Sequence, residues 1–425
     1  MAQIQTPHSL STVFLDQPPS CLEFCPAAPD YLVIGTYLLS QSTSEDSSSP
    51  QQVKTGSIQL FKLDPGACHL TQIQTLPLPH AVFDLHFSPR DPTLFAIATS
   101  AASVSFYRLE SPQSTPLITH QSTITVHDDP TIPALHLSWL PTLLTTQNQT
   151  DAFAICFSTG EVSIFTTPIP TPNPSNPSPS PTSKNKPSFT QDTLTPLTLP
   201  SQQQIEVWYT AFHAAPYPSP GAGSTKYYCP LLFSGDDFGT LCTREFADSS
   251  PSPSFPALTR ETNDRARSHS AGVTAILPLF SIAGEGTVVL TGSYDEVVRV
   301  YLYRVAGGGR GEVLAEMGLG GGVWRLEVVR VEEVEEEDGL ERRYLVLASC
   351  MHAGTRVLRV RCVMGGEEGV FGEWDLEVLA EFTEHESMNY ASGVWEGEGE
   401  GKGKELLCVS SSFYDKRVCV WKVGV

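Results

Sequence analysis

The sequence predicts an all-β protein, a seven-bladed β-propeller, and three observations carry that prediction. The first is a hairpin pattern at residues 286–303, GTVVLTGSYDEVVRVYLY. The apolar run Val288-Val289-Leu290 meets the turn Gly292-Ser293-Tyr294-Asp295-Glu296, and a second β-branched run follows. Two such runs around a Gly- and Asp-bearing turn are the sequence form of a β-hairpin. The second is recurrence: residues 406–421, LLCVSSSFYDKRVCVW, repeat the pattern with the same Tyr-Asp pair. Weaker echoes lie at 232–243 (LFSGDDFGTLCT) and 347–358 (LASCMHAGTRVL). One hairpin recurring at blade-length intervals implies a repeat architecture. The third is register. Asp295 is followed six residues later by Tyr301, Asp415 six residues later by Trp421, and His269 precedes Asp295 by 26 residues.

This register resembles the WD40 blade, in which a His, a Ser or Thr, the turn Asp and an aromatic form a buried hydrogen-bonded set. Such a set satisfies polar groups that could not otherwise be buried. His269, Asp295, Asp237 and Asp415 are accordingly assigned structural roles, within repeats that are individually degenerate. Seven blades of about 40–45 residues take up most of a chain of 425 residues, so one domain is placed at 12–425.

Taken in order, Thr12-Val13-Phe14-Leu15 is a strand pattern without a hairpin partner. It is expected to complete the last blade, because an open ring would leave strand edges unpaired. Blade cores follow at 21–63 (with a polar inserted loop at 40–54), 83–109, 136–165, 205–246, 269–303, 320–362 and 390–421. Residues 167–200 are rich in Pro and Ser and read as a disordered insertion that cannot bury apolar area. Residues 248–267 read as a flexible inter-blade linker.

A formal net charge of −21 argues against nucleic acid, since phosphate binding needs clustered Lys and Arg. The acid concentrates at 327–341 and 367–405, read as solvated loops or as a surface for a basic partner. The ten cysteines form no CxxC pair, so neither a disulfide framework nor a zinc site is expected, and no metal or cofactor is assigned. The N-terminus lacks the basic and apolar regions of a signal peptide, and no apolar run reaches membrane-spanning length. A cytoplasmic monomer is expected.

No GxSxG, P-loop, HExxH or helix-opening GxGxxG occurs, and Gly318–Gly322 reads as an inter-blade turn. Departures from the blade pattern are more informative. Aligned on the hairpin, His352 takes the turn position of Asp295 and Asp415, with Leu358 in place of the aromatic. An imidazole at the turn tip is suited to acid–base work; loss of the Asp by blade degeneration explains the same residues. Turn tips and the starts of innermost strands share one face of a propeller. Tyr294, Asp236, Tyr414 and His352 are therefore expected to converge with Trp324, Arg325, Glu206, Trp208 and Tyr390. Aromatics with carboxylates around a mouth suit a quaternary ammonium, while each ring alone could equally pack between blades.

Several stretches then resemble one family. YLVIGTYLL (31–39), EVWYTAF (206–212), FSGDD (233–237), HSAGV (269–273), TGSYDE (291–296), GGVWRL (321–326), ASCMHAG (348–354) and SFYDKRVCVW (412–421) are similar to the WD-repeat methylated-diphthine methylhydrolases of diphthamide biosynthesis. The Pro/Ser insertion and the acidic runs depart from that family, and Thr243 stands where a blade aromatic is expected. The resemblance implies hydrolysis of a methyl ester on the modified histidine of translation elongation factor 2, a substrate carrying a trimethylammonium group. On that basis His352 would activate water, and Trp324 and Tyr294 would hold the ammonium, helped by Asp236 or Glu206. Tyr414 and Tyr390 would border the site, and Arg325 or backbone N–H groups would stabilise the oxyanion. Attack by Cys350 with His352 as base is the alternative. A non-catalytic WD40 scaffold for protein–protein interaction is the rival from another class, and a reader of basic peptides through the acidic runs is a third.

Overall fold

Short β-branched runs broken by Gly, Asp and Pro favour local antiparallel pairing, and the computed structural model is built almost wholly from it. The structure describes residues 3–42, 51–110, 115–169, 189–201, 203–216, 227–247, 255–265, 267–305, 311–336, 339–364, 371–397 and 405–425. Seven antiparallel sheets follow one another along the chain. Blade 1 begins with Pro19–Phe24, blade 2 with Val82–Phe87, blade 3 with Ala134–Trp139 and blade 4 with Val207–Pro216. Blade 5 begins with Val273–Ile282, blade 6 with Arg325–Glu336 and blade 7 with Ala391–Val394. The N-terminal strand Ser9–Phe14 is the outermost strand of blade 7, where it pairs antiparallel with Arg417–Gly424 (Val13 opposite Val418). The chain is thus a seven-bladed propeller of the WD40 kind, closed by its own first strand. Among the described residues the α-helix is Thr142–Asn148, and no helix is long and apolar enough to cross a membrane.

The structure corrects the sequence reading at the outer edge of the ring. The expected blade cores end with the third strand, but His69–Leu78, Leu117–Thr125, Thr195–Leu199, Leu258–Asp264, Gly311–Gly318 and Glu373–Phe382 add a further, outer strand to blades 1–6. Thr195–Leu199 lies inside the stretch read as a disordered insertion, whose residues 170–188 fall outside the described residues. Leu258–Asp264 lies inside the stretch read as a flexible linker. Thr195–Leu199 leaves four of its five residues exposed and Leu258–Asp264 buries none fully, so neither shows a buried apolar face to be read, whereas Glu373–Phe382 does alternate, with Trp374, Leu376, Ala380 and Phe382 buried. In the stretch 40–54 read as a polar inserted loop, 38–42 pairs with 51–55, and residues 43–50 lie outside the described residues. The acidic run at 327–341 is likewise a strand pair, with Glu333 opposite Arg342 and Glu332 opposite Arg343, and Glu333 pairs ionically with Arg342.

Packing between blades sets how closely they approach. Gly35, Gly235 and Gly292, each on the second strand of its blade, lie against Val82, Val273 and Val323 at the start of the following blade. A Cβ on Gly235 would stand 2.6 Å from Val273 Cβ and 2.7 Å from its carbonyl oxygen, and the backbone cannot yield cheaply there. Buried polar sets lock individual blades. In blade 7 the Trp421 indole N–H donates to Ser410 Oγ (3.0 Å), which also meets His385 Nε2 (2.8 Å), beside Asp415. In blade 5 His269 Nδ1 bonds Asp295 Oδ1 (3.0 Å) and its Nε2 meets Thr291 Oγ1 (2.9 Å). Tyr301 does not join that set: its hydroxyl donates across to Asp264 Oδ2 of blade 4 at 2.8 Å. Burial tends to raise the Asp295 carboxyl, but the His269 contact and the Ser270 and Val297 amides outweigh it and hold the pKa well below the usual range.

Two outcomes follow. Gly235→Ala should lower stability by about 1–3 kcal/mol through overpacking, measured by urea denaturation. Burial also holds the pKa values of His385 and His213 down to about 4. The unfolded chain therefore takes up more protons than the folded one between pH 6.5 and 4. Stability should be fully present above pH 6.5 and fall on acidification through this window, by up to about 1.4 kcal/mol per pH unit for each histidine. Melting curves of wild type and His385→Gln check this, the variant showing the shallower pH slope.

Candidate functional site

One end of the ring is organised by backbone hydrogen bonds that tie turn tips to the starts of innermost strands. The Asp237 amide donates to Glu206 O (2.9 Å), Tyr294 to Gly272 O (3.0 Å), Val323 to Ser293 O (2.9 Å) and Asn389 to Met351 O (3.0 Å). These bonds bring side chains from blades 4 to 7 to a common mouth. Trp208, Tyr294 and Trp324 form a triangle of rings, with centroids 6.1 Å apart for Trp208–Tyr294, 5.9 Å for Trp208–Trp324 and 6.0 Å for Tyr294–Trp324. Their planes are inclined at 87°, 58° and 47°, so the rings do not stack flat and seal one another off. The arc continues through Tyr390 (5.0 Å from Trp324), Phe413 (5.4 Å from Tyr390) and Tyr414. Tyr37 lies 6.0 Å from Phe413 and 5.4 Å from Phe83, carrying the arc into blades 1 and 2. All but the exposed Tyr414 are half-buried, so their faces are partly open to the mouth. The centre of a triangle with sides near 6 Å lies about 3.5 Å from each corner, so a single cation can come within the ~6 Å reach of all three rings.

Carboxylates stand beside this triangle, though not the pair assigned from sequence. Asp236 Oδ1 accepts from the amides of Phe238 (3.0 Å) and Thr240 (2.8 Å), so it caps its own turn and is corrected to a structural residue. Asp237, assigned a structural role, instead accepts the Trp208 indole N–H at 2.7 Å and belongs to the mouth. Burial first, then the neighbouring Tyr390, Asp237 and Glu206, push the Tyr294 phenol well above its ordinary pKa, so it remains a neutral hydrogen-bond donor.

The two residues first considered for catalysis fare differently. Cys350 is fully buried in the core between blades 5 and 6, and burial pushes its thiol up to about 12. It is corrected to a packing residue: it lies just past the strand Gly339–Ser349, so the expected alternation does not relate it to His352. His352 is exposed, with Nε2 4.0 Å from Glu296 Oε1. Its turn differs from the Asp295 turn in backbone form: Met351 (φ 42°) and Gly354 (φ 82°) are left-handed, against Glu296 (φ 67°) in blade 5. Gly321 and Gly322 lie between this turn and Tyr294, which puts His352 at the rim of the mouth.

Arg325 connects the rim to the axial channel. Its guanidinium lies 5.0 Å from the Trp324 ring and 5.3 Å from Tyr209, donates to Trp324 O (2.9 Å), and sits 3.3 Å from Asp84 Oδ1. Asp84 Oδ2 accepts the Leu137 amide at 2.9 Å and lies 3.2 Å from His86 Nε2 and 3.5 Å from His136 Nε2. His86 Nδ1 bonds Glu23 Oε2 at 2.8 Å. Enclosure by the channel walls, then the charges of Glu23 and Glu396, push the carboxyl of the solvent-exposed Glu327 up to about 8. Sequence reading missed this channel group. The available signal was polar residues in innermost strands otherwise apolar, DLHF (84–87) and HLSW (136–139), but nothing in the spacing joins 84, 136 and 325.

The fold and the mouth together define a WD40-type propeller with an aromatic, acidic opening suited to a cationic group. No family model matches the chain. It is similar over its full length to two proteins named diphthine methyltransferase. The Schizosaccharomyces pombe protein is 26% identical over 413 residues, 97% of each chain, and the Saccharomyces cerevisiae protein 24% over 445 residues, all of each. Among solved structures it resembles Sqt1 of Saccharomyces cerevisiae (TM-score 0.51, 11% identity, 99% of this chain and 100% of that one). It also resembles Sqt1 of Chaetomium thermophilum bound to the N-terminus of ribosomal protein L10 (TM-score 0.51, 12% identity, 98% and 100%). At these identities the structural likeness is one of fold.

All ten cysteines are buried, so the native protein should react with a thiol reagent such as DTNB only at the rate of unfolding. A fast-reacting thiol that maps to Cys350 would reverse its assignment to the core.

Proposed function

We propose that the chain acts in diphthamide biosynthesis as a hydrolase that removes the methyl ester from methylated diphthine on translation elongation factor 2. The observation that carries this is the half-buried triangle Trp208–Tyr294–Trp324 with Asp237 on the Trp208 indole. A trimethylammonium group gains cation–π attraction from several faces there, and the full-length relatives named for diphthine supply a substrate with such a group. In methylated diphthine the ammonium and the ester are substituents of one carbon. An ammonium held by the triangle therefore sets the ester beside Arg325, whose guanidinium is 5.0 Å from the Trp324 ring. In the proposed reaction water adds to the ester carbonyl carbon, and Arg325 N–H groups bind the oxygen that becomes negative. Collapse then expels methoxide, which leaves as methanol once protonated, and the carboxylate of diphthine remains. His352, at the rim and near Glu296, is assigned to take the proton of the attacking water.

The relatives' names favour a second reading, methyl transfer onto the diphthine precursor. The two differ in product. Purified elongation factor carrying methylated diphthine should release methanol catalytically on hydrolysis; a transferase incorporates label from a methyl donor and releases none; a scaffold binds and does neither. Under the hydrolytic reading Arg325→Ala lowers kcat by roughly 10²–10³. Trp324→Ala acts mainly on KM, by about 2- to 30-fold for 0.5–2 kcal/mol of cation–π attraction, and His352→Ala lowers kcat. Methanol release undiminished in Arg325→Ala and Trp324→Ala would remove the mouth from the reaction.

A further inference from the structure

We propose that the axial channel holds a binding site for a divalent first-row transition-metal ion such as zinc, formed by Asp84 Oδ2, His86 Nε2 and His136 Nε2. The argument is geometric and does not depend on which reaction the mouth performs. The ligand atoms all lie within 4.8 Å of one another. The separations from Asp84 Oδ2 are 3.2 Å to His86 Nε2 and 3.5 Å to His136 Nε2. Bonds of about 2.0–2.1 Å in tetrahedral array place neighbouring ligand atoms about 3.4 Å apart, so these separations match a coordination edge. Neither contact has the alignment of a good hydrogen bond, so each buried Nε2 has Asp84 only as a charged neighbour. His136, with its side chain 2% exposed, has no solvent to turn to. Buried polar atoms are rarely left without aligned partners, and one bound ion would give both rings such a partner.

The surroundings fit a metal as well as the ligands do. Asp84 and His86 are two residues apart on the innermost strand of blade 2 and face the same way; His136 is on the adjoining strand of blade 3. All are fixed by the ring, which spares the ion the cost of ordering a loop. Metal-bound histidines usually donate their other ring nitrogen to a carboxylate, and His86 Nδ1 meets Glu23 Oε2 at 2.8 Å. The remaining carboxylate oxygen of Asp84 faces Arg325, and its Oδ2 takes the Leu137 amide, so the ligand is oriented on both sides. His136 departs from the usual arrangement, because its Nδ1 takes the Thr210 amide at 3.4 Å. Coordination requires the tautomer protonated at Nδ1 and gives up this one long contact. Two imidazoles with one carboxylate select zinc, cobalt or iron over magnesium or calcium, which prefer all-oxygen sets. The side chains of His86 and Glu23 are 31% and 30% exposed, so one side of the site opens to the channel. Three protein ligands with an open position is the form of a site that binds a further ligand, not of a closed structural one.

The test uses the full-length protein, stripped with a chelator and dialysed against zinc chloride, with cobalt(II) as a spectroscopic probe. Wild type should take up one equivalent of either ion. Its cobalt form should show visible d–d absorption without the near-ultraviolet band of thiolate ligation. His86→Gln and His136→Gln should each lose that equivalent while retaining native circular dichroism, and Glu23→Gln should weaken binding by about 10- to 100-fold. Failure of the stripped wild type to bind either ion overturns the site. So does unchanged stoichiometry in folded His136→Gln, or a thiolate band, which would move the ion to the cysteines. Methanol release measured on the same zinc-loaded and stripped samples separates this question from the esterase reading, since metal uptake is read whether or not the ester is cleaved.

Discussion

The pairing of Ser9–Phe14 with Arg417–Gly424 is the constraint on which the rest depends. A sheet edge left open at blade 7 would present unpaired N–H and C=O groups, and nothing would fix blade 7 against blade 1. The aromatic arc crosses that seam: Tyr37 of blade 1 touches Phe413 of blade 7. The channel group crosses the ring in another direction, with Arg325 of blade 6 reaching Asp84 of blade 2. Neither exists unless the two ends of the chain are joined, so closure comes before chemistry in this molecule.

Given closure, each blade contributes to the mouth by the same local device. The carbonyl of a turn residue, or of the residue opening the next blade, accepts a backbone amide from its neighbour; the side chains of Val323 and Asn389 stay buried at these ties, while those of Trp208, Tyr294, Trp324 and Tyr390 beside them are half-buried at the opening. The glycines on the second strands let the innermost strands approach closely enough for this to work. Function is thereby assigned to positions, and the residue at each position decides what the opening binds. On the proposed reading the aromatics at 208, 294, 324 and 390 receive a cation, and Asp237 and Glu206 add to that preference.

What could be read from the sequence follows from this division. The hairpins at 286–303 and 406–421 announce themselves by a turn Asp and a buried aromatic at one spacing, although only Trp421 joins its own blade's polar set while Tyr301 bonds Asp264 of blade 4. Convergence of Trp324, Tyr294, Trp208 and Tyr390 was legible for the same reason, since position in the blade dictates direction. Adjacent Asp236 and Asp237 were not separable, because which of them caps the turn depends on backbone dihedrals that composition does not encode. The outer strands were missed where solvent faces erase alternation, as in TPLTL at 195–199. Attack by Cys350 stayed open as the alternative to water activation until its burial was visible. The Asp84, His86, His136 and Arg325 group joins residues up to 241 positions apart, and only the closed ring brings them together.

The hydroxyls of Tyr301 and Tyr303 have a further consequence. They leave their own blade to bind Asp264 and Glu245 of blade 4. An aromatic that in blade 7 bolts a single module shut here rivets two modules together. Blades 4 and 5 are therefore a fused pair, and exchanging either for a copy from another repeat protein would take a hydroxyl donor from Asp264 and from Glu245, leaving Asp264 to Arg267 and Glu245 to Arg260.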